Sequence, residues 1–183
     1  GRIFGFHFLE NFNYPFLSAS VQEFWRRWHM TLGGWFRDYL YFPLGGSRKG
    51  KLRTNLNLMI VFAVSGLWHG AGLQYLIWGL LHGGYQVVGR LVKPLTKPLR
   101  EKLDGSPLAL PAKWARIGWV FLLTGIAWVF FRADSLDHAM LIFRQMTAGG
   151  GFGGAEAFGI KGYLFDGDAS ALSTYLDRLL LEK

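Results

Sequence analysis

Thirty-six consecutive residues, Thr54 to Gly89, contain no Asp, Glu, Lys or Arg, and basic clusters close the stretch on both sides. Arg48, Lys49, Lys51 and Arg53 precede it; Arg90, Lys93, Lys97, Arg100 and Lys102 follow. One straight helix of that length would run about 54 Å, well past the roughly 30 Å hydrocarbon core of a bilayer. The stretch is therefore expected to go in and come back. The glycine-rich run Gly66-Leu67-Trp68-His69-Gly70-Ala71-Gly72 is the place to turn, and basic flanks at both ends favour a cytoplasmic position for both. This predicts a helical pair over 54–89 carrying His69 near its middle. A titratable group at membrane depth normally faces a cavity or a partner rather than lipid, which makes His69 the first candidate functional residue.

The composition agrees with a membrane class: of 183 residues, 51% are hydrophobic and 17% aromatic, more than an ordinary soluble domain carries. A net charge of +8 raises nucleic acid as a partner. The basic residues flank apolar segments instead of lining a polar domain, however, which is juxtamembrane placement and argues against it. The absence of cysteine excludes disulfides, thiolate metal sites and a catalytic Cys. Gly1 is not an initiator and no signal peptide opens the chain, so it reads as an excised piece of a longer membrane protein.

Taken in order, Asn11-Phe12-Asn13-Tyr14-Pro15 reads as a loop, because Pro15 keeps Tyr14 out of the right-handed helical region. Ser20 and Glu23 have capping-box spacing for a helix start. From Val21 to Leu40, Phe24, Trp25, Trp28, His29, Leu32, Trp35, Phe36, Tyr39 and Leu40 gather on one helical face, with Glu23, Arg26, Arg27, Arg37 and Asp38 on the other. This predicts an amphipathic interfacial helix over 21–40, with Gly33-Gly34 as the place where it would bend or break. Pro43-Leu44-Gly45-Gly46-Ser47 reads as a turn, and Pro94, Pro98, Pro107 and Pro111 as the punctuation of a polar loop. A membrane span is expected over 114–131, with tryptophan near both ends, and 132–183 as mostly non-cytoplasmic loop and helix. Gly149 to Gly154 matches a dinucleotide-binding glycine pattern only formally, with no preceding strand, and reads as a loop; Ala169 to Leu181 reads as a short amphipathic helix. The fold class expected is all-α: one polytopic membrane domain over 1–183, built of transmembrane or re-entrant helices and an interfacial helix.

No HExxH or carboxylate–histidine cluster has metal-ligand spacing, and no G-x-S-x-G elbow offers a serine nucleophile, so no metal site is expected. His69 admits two readings, a hydrogen-bonded structural histidine or a catalytic base. His82 falls about 140° away on a continuous helix and reads as a structural histidine satisfied by a neighbouring helix.

Asn11-Phe12-Asn13-Tyr14-Pro15, Glu23-Phe24-Trp25-Arg26-Arg27-Trp28-His29, Trp35-Phe36-Arg37-Asp38-Tyr39-Leu40-Tyr41 with Pro43-Leu44-Gly45-Gly46, and Gly66-Leu67-Trp68-His69-Gly70-Ala71 resemble the membrane-bound O-acyltransferase family. Within it the chain most resembles the alginate O-acetyltransferase branch, and Phe130-Phe131-Arg132-Ala133 is similar to a later segment of that branch. The Pro43 to Gly46 turn favours the polysaccharide-acetylating branch over the D-alanyl-transferring one. The resemblance implies His69 as the catalytic histidine and His29 as a second one. Trp28, Arg37, Asp38 and Trp68 become candidates for binding substrate or donor. It also implies a multi-pass protein of the bacterial inner membrane, with no bound cofactor. The acyl donor would be acetyl-CoA or another acyl carrier, the acceptor an exported polysaccharide such as alginate, and the partners membrane lipid and periplasmic acetyl-transfer proteins. The rival readings are a transporter in which His69 relays protons, disfavoured because no carboxylate lies between Thr54 and Gly89, and a non-catalytic scaffold of a glycan-export complex.

Overall fold

The computed structural model describes Gly5 and residues 9–147, and all regular structure among them is helical. Six α-helices follow one another: α1 (Val21–Arg27), α2 (Met30–Phe36), α3 (Gly50–His69), α4 (Leu73–Asp104), α5 (Ala109–Arg132) and α6 (Leu136–Thr147). A 3-10 turn at Pro15–Leu17 precedes α1, and a π-helical turn at Arg37–Tyr41 follows α2. Contacts divide the chain into two units, Gly1–Arg132 and Ala133–Lys183. The glycine loop at 149–154 and the helix expected over 169–181 lie outside the described residues.

Ser20 starts α1 as its spacing predicts: its Oγ accepts from the Glu23 backbone N–H at 3.1 Å, and the Glu23 carboxylate reaches back to the Ala19 N–H at 3.0 Å. Glu23 also pairs with Arg27 one turn on, at 2.6 Å. The expected continuous helix over 21–40 does not form. It breaks at Trp28-His29 and not at Gly33-Gly34, which lie inside α2. Trp28 is extended, and His29 takes left-handed backbone, φ 48° and ψ 50°. The cause is tertiary. The Asn11 segment crosses the break, with the Met30 N–H donating to the Asn11 carbonyl at 3.0 Å and the Thr31 N–H and hydroxyl donating to Asn11 Oδ1 at 3.0 and 2.6 Å. Asn11 thus satisfies orphan donors of the first turn of α2, a capping role played from eighteen residues upstream of its N-cap at His29.

The chain reverses between His69 and Leu73, where Gly70 ends α3 and Gly72 opens α4. The returning helix meets the outgoing one backbone to backbone: a methyl group added at Gly66 would overlap the Tyr75 carbonyl, and one at Gly79 the Phe62 carbonyl. Gly83, four residues beyond Gly79, lies against Met59 and Phe62. Small residues at this spacing let two helices approach as they do in membranes. The other end of α3 is held by Asn57, wholly buried, whose amide donates to the Leu44 and Gly46 carbonyls at 3.2 and 2.9 Å. That contact needs the tight turn before α3, where Gly45 and Gly46 have φ of 101° and 55°, values that a side chain would strain.

Two expectations about proline need correction. Pro94 and Pro98 lie inside α4, which continues to Asp104, and α5 begins at Ala109, before Trp114 and Pro111. Residues 91–100 are exposed, so water can satisfy the carbonyls whose partners these prolines lack, and the helix survives. At the α4–α5 junction Asp104 accepts from Arg116 at 3.0 Å and Arg100 at 3.4 Å. The Arg116 contact chiefly holds the Asp104 carboxyl below the usual carboxylate range. Ile117, Val120, Thr124 and Ala127 form the buried stripe of α5, while Trp114, Trp119, Phe121 and Leu122 face outward. Among the described residues, α5 is the one helix long and apolar enough to cross a membrane. Val21 and Phe24 of α1 pack on Val120 of α5, with Trp25, Trp28, Tyr85 and Leu123 around them.

Candidate active site

The reversal that ends α3 leaves His69 on its last turn, where three aromatic rings frame the imidazole edge-on. Centroid separations are 4.8 Å to Trp68, 5.2 Å to Trp78 of α4 and 5.0 Å to Phe131 of α5. Trp78 is buried and touches Phe131 at 5.2 Å and Trp128 at 6.0 Å, so residues from two later helices close the walls. Tyr75 packs on Phe131 at 5.4 Å. Neither ring nitrogen of His69 has a hydrogen-bond partner among the described residues, and the side chain is only half-buried.

His29 comes to the same place by a different route. Its left-handed corner puts the imidazole 6.5 Å from Trp68 and 5.7 Å from Phe12, so that Trp68 neighbours both histidines. His29 Nδ1 is buried with no partner among the described residues. A left-handed non-glycine residue costs about 1 kcal/mol or more, and such strain collects where function fixes a side chain. Trp28, beside it, stacks on Phe24 at 5.6 Å and meets Trp128 edge-on at 5.2 Å, which joins the His29 corner to the wall behind His69.

Of the six site residues read from the sequence, His69, His29, Trp68 and Trp28 are brought together, whereas Arg37 and Asp38 are placed apart from this cluster. They pair with each other at 2.8 Å on the exposed π-helical turn, and Arg37 also lies 6.0 Å from the Phe42 ring. The Arg37 hydrogen bond holds the Asp38 carboxyl below the usual carboxylate range, which makes it a poor proton carrier near neutral pH.

His82 is fully buried, and the Trp25 indole N–H donates to its Nδ1 at 3.3 Å, so one of its two ring nitrogens is satisfied from a neighbouring helix. Its ring packs on Trp78 at 5.0 Å, on the far side of a residue that also touches His69. The helical angle between the two histidines gives no hint of this shared neighbour, because the chain turns between them. Asn11, Trp78, Trp128 and Phe131 are the site residues that the sequence does not single out. Of these, only Asn11 and Phe131 sit in motifs that could have flagged them. The Trp78 and Trp128 indole N–H groups are buried with no partner among the described residues, as is His82 Nε2. Among the described residues no three His, Asp or Glu side chains cluster as metal ligands would.

The family model of the membrane-bound O-acyltransferases (MBOAT) matches residues 3–131, a span that includes every residue of this cluster. Over 150 residues the chain is 43% identical to the probable alginate O-acetylase AlgI of Pseudomonas putida, a match covering 82% of this chain and 29% of that protein. It is 39% identical over 149 residues to the peptidoglycan O-acetyltransferase of Helicobacter pylori, covering 80% and 26%. A shorter match, 40% over 87 residues, covers 44% of this chain and 22% of the teichoic acid D-alanyltransferase of Bacillus subtilis. The chain therefore spans less than a third of the length of these curated relatives. With the motifs, the aromatic cluster around His69 and the family match all falling on the same residues, the chain belongs to the membrane-bound O-acyltransferase family and is a membrane protein.

Proposed function

We propose that the full-length protein is an O-acyltransferase that moves an acetyl group from a cytoplasmic donor to hydroxyls of an exported cell-surface polysaccharide such as alginate, with His69 as general base. The observation that carries the choice of base is the contrast between the two histidines of the hairpin. His82 is buried and spends Nδ1 on the Trp25 indole, as a structural histidine does. His69 is half-buried, walled by rings on several sides, and neither nitrogen is spent on the described protein. Relatives named as an alginate O-acetylase and a peptidoglycan O-acetyltransferase support acetyl as the group and a glycan as the acceptor. Acetyl-CoA or another acyl carrier as donor, periplasmic acetyl-transfer proteins as partners and a multi-pass place in the inner membrane belong to the same reading.

In the reaction, a neutral His69 nitrogen takes the hydroxyl proton while the oxygen attacks the carbonyl carbon of the donor thioester or ester. The carbon–sulfur or carbon–oxygen bond then breaks, and the imidazolium returns the proton to the departing atom. Proton transfer of this kind contributes about 10²–10⁴-fold, and no covalent acyl-enzyme is needed. His29, which also neighbours Trp68, orients the donor or polarises its carbonyl. The aromatic walls keep out water that would hydrolyse the donor.

The test is acetyl ester content of the exported glycan, normalised to protein in the membrane, for full-length His69→Ala and His69→Gln. Glutamine approximates the size and can hydrogen-bond, so it rescues a structural histidine, yet it cannot take a proton at neutral pH. Both variants should lose about a hundredfold or more in activity at near-normal abundance. His29→Gln should be milder, since an amide still donates a hydrogen bond. Near-normal acetylation by His69→Gln would overturn the assignment.

A further inference from the structure

Away from His69, on the other side of Trp25 and His82, a cavity of about 520 Å³ opens between α1, α3 and α4. Gln22, Trp25 and Arg26 line it from α1, Leu58 from α3, and Gln86, Arg90 and Lys93 from α4. Three cations converge there and no carboxylate lines it. Arg26, Arg90 and Lys93 have no ion-pair partner among the described residues, and the nearest acid along α1, Glu23, is already held by Arg27 at 2.6 Å. Trp25 has spent its indole N–H on His82, so toward the cavity it offers an apolar wall, together with Leu58. Gln22 and Gln86 line it as well, the Gln86 amide donating to the Val21 carbonyl at 3.5 Å. The position along the chain is equally specific. Arg90 is the first charge after the 36-residue uncharged stretch, so the cavity sits where apolar helix gives way to basic helix, the level of phospholipid headgroups.

We propose that this cavity is a binding site for a phosphate group, with Arg26, Arg90 and Lys93 on its oxygens and Trp25 and Leu58 against the apolar part of the ligand. Converging guanidinium and ammonium groups repel one another until an anion lies between them, and guanidinium forks match phosphate oxygens in pairs. Two sources share this chemistry, the phosphodiester of an anionic phospholipid and a soluble phosphate compound. The site is independent of the acyl-transfer reading. Its neighbours Trp25 and His82 connect it through ring contacts to Trp78, which also touches His69.

The experiment uses the purified full-length protein and a variant carrying Arg26→Gln, Arg90→Gln and Lys93→Gln. A control carries Lys97→Gln, Arg100→Gln and Lys102→Gln, further along α4 and outside the cavity. Native mass spectrometry after equilibration with mixed phosphatidylglycerol and phosphatidylcholine reads the lipid arm. Calorimetric titration of delipidated protein with inorganic pyrophosphate reads the soluble arm. Each charge near the surface contributes about 1 kcal/mol, so the cavity variant should bind its phosphate about a hundredfold more weakly, with the control near wild type. Selective retention of phosphatidylglycerol, lost in the cavity variant, identifies the lipid source; pyrophosphate binding lost in that variant identifies the soluble one. Arg26→Lys with Arg90→Lys should restore part of the binding, which separates a lost charge from a lost fold. Equal binding by wild type and the cavity variant, or equal losses in both variants, would overturn the site.

Discussion

His29 occupies backbone that histidine seldom adopts, and what keeps it there is one asparagine side chain and the carbonyl beside it. Asn11 Oδ1 acts purely as an acceptor, from the Thr31 N–H and hydroxyl, so a carboxylate can replace it and a methyl group cannot. Asn11→Ala should therefore cost about 1 kcal/mol and lower activity by misplacing His29, while Asn11→Asp keeps both. Acetyl ester content together with thermal melting in detergent checks this, and an Asn11→Ala enzyme as active as wild type would show that the corner holds without its clamp. The residues of the site were partly legible beforehand. Trp28, His29 and Trp68 come from the family resemblance of their motifs, and His69 also stands out as a lone histidine in an uncharged apolar stretch. Trp78 and Trp128 do not, since an aromatic residue in an apolar helix looks the same whether it faces lipid or a histidine, and only the folded chain decides. Arg37 and Asp38 are candidates through the resemblance of their motif, and in the fold they pair with each other at the surface.

Among the helices, α3 and α4 owe their closeness to glycines with no room for a side chain. Gly79→Ala forces a methyl group into the Phe62 carbonyl, an overlap that the backbone can relieve only by moving. A destabilisation of about 3 kcal/mol is expected. Gly84 is the contrast, five residues along the same helix with nothing within 4 Å of an added Cβ. Gly84→Ala should be neutral or stabilising by about 0.5–1 kcal/mol through helix propensity alone. Thermal unfolding of the two variants in detergent tests the seam, and equal melting temperatures would dissolve it. Local chemistry announced the turn at Gly70–Gly72, the Ser20 cap and the glycine turn before α3, because each depends on residues a few positions apart. The break at His29 and the helical course through Pro94 and Pro98 were hidden. The first is imposed by a segment far upstream, and the second is permitted by water that a linear pattern does not display.

For the molecule as a whole, the hairpin fixes which parts of the chain share a side. α3 and the uncharged part of α4 run antiparallel, so Ser47 and Thr96, beyond its two ends, are expected on the same cytoplasmic face. The chain has no cysteine, which makes Ser47→Cys and Thr96→Cys clean reporters, and an impermeant thiol reagent should leave both unlabelled in intact cells. Labelling of one alone would refute the arrangement. The glycine seam also bears on where movement can occur. Because backbone meets backbone at Gly66 and Gly79, no side chain along that line can swing aside to widen the gap, and the hairpin behaves as a rigid post carrying His69 at its tip. Movement is therefore expected first in what leans on the post, the corner strung between Asn11 and Thr31. Spin labels at Leu67 and Leu80 should keep a single, narrow separation when donor is added, while a pair at Asn13 and Leu67 shifts or broadens. In mechanical terms the hairpin is the frame, and the corner is the part hung on it.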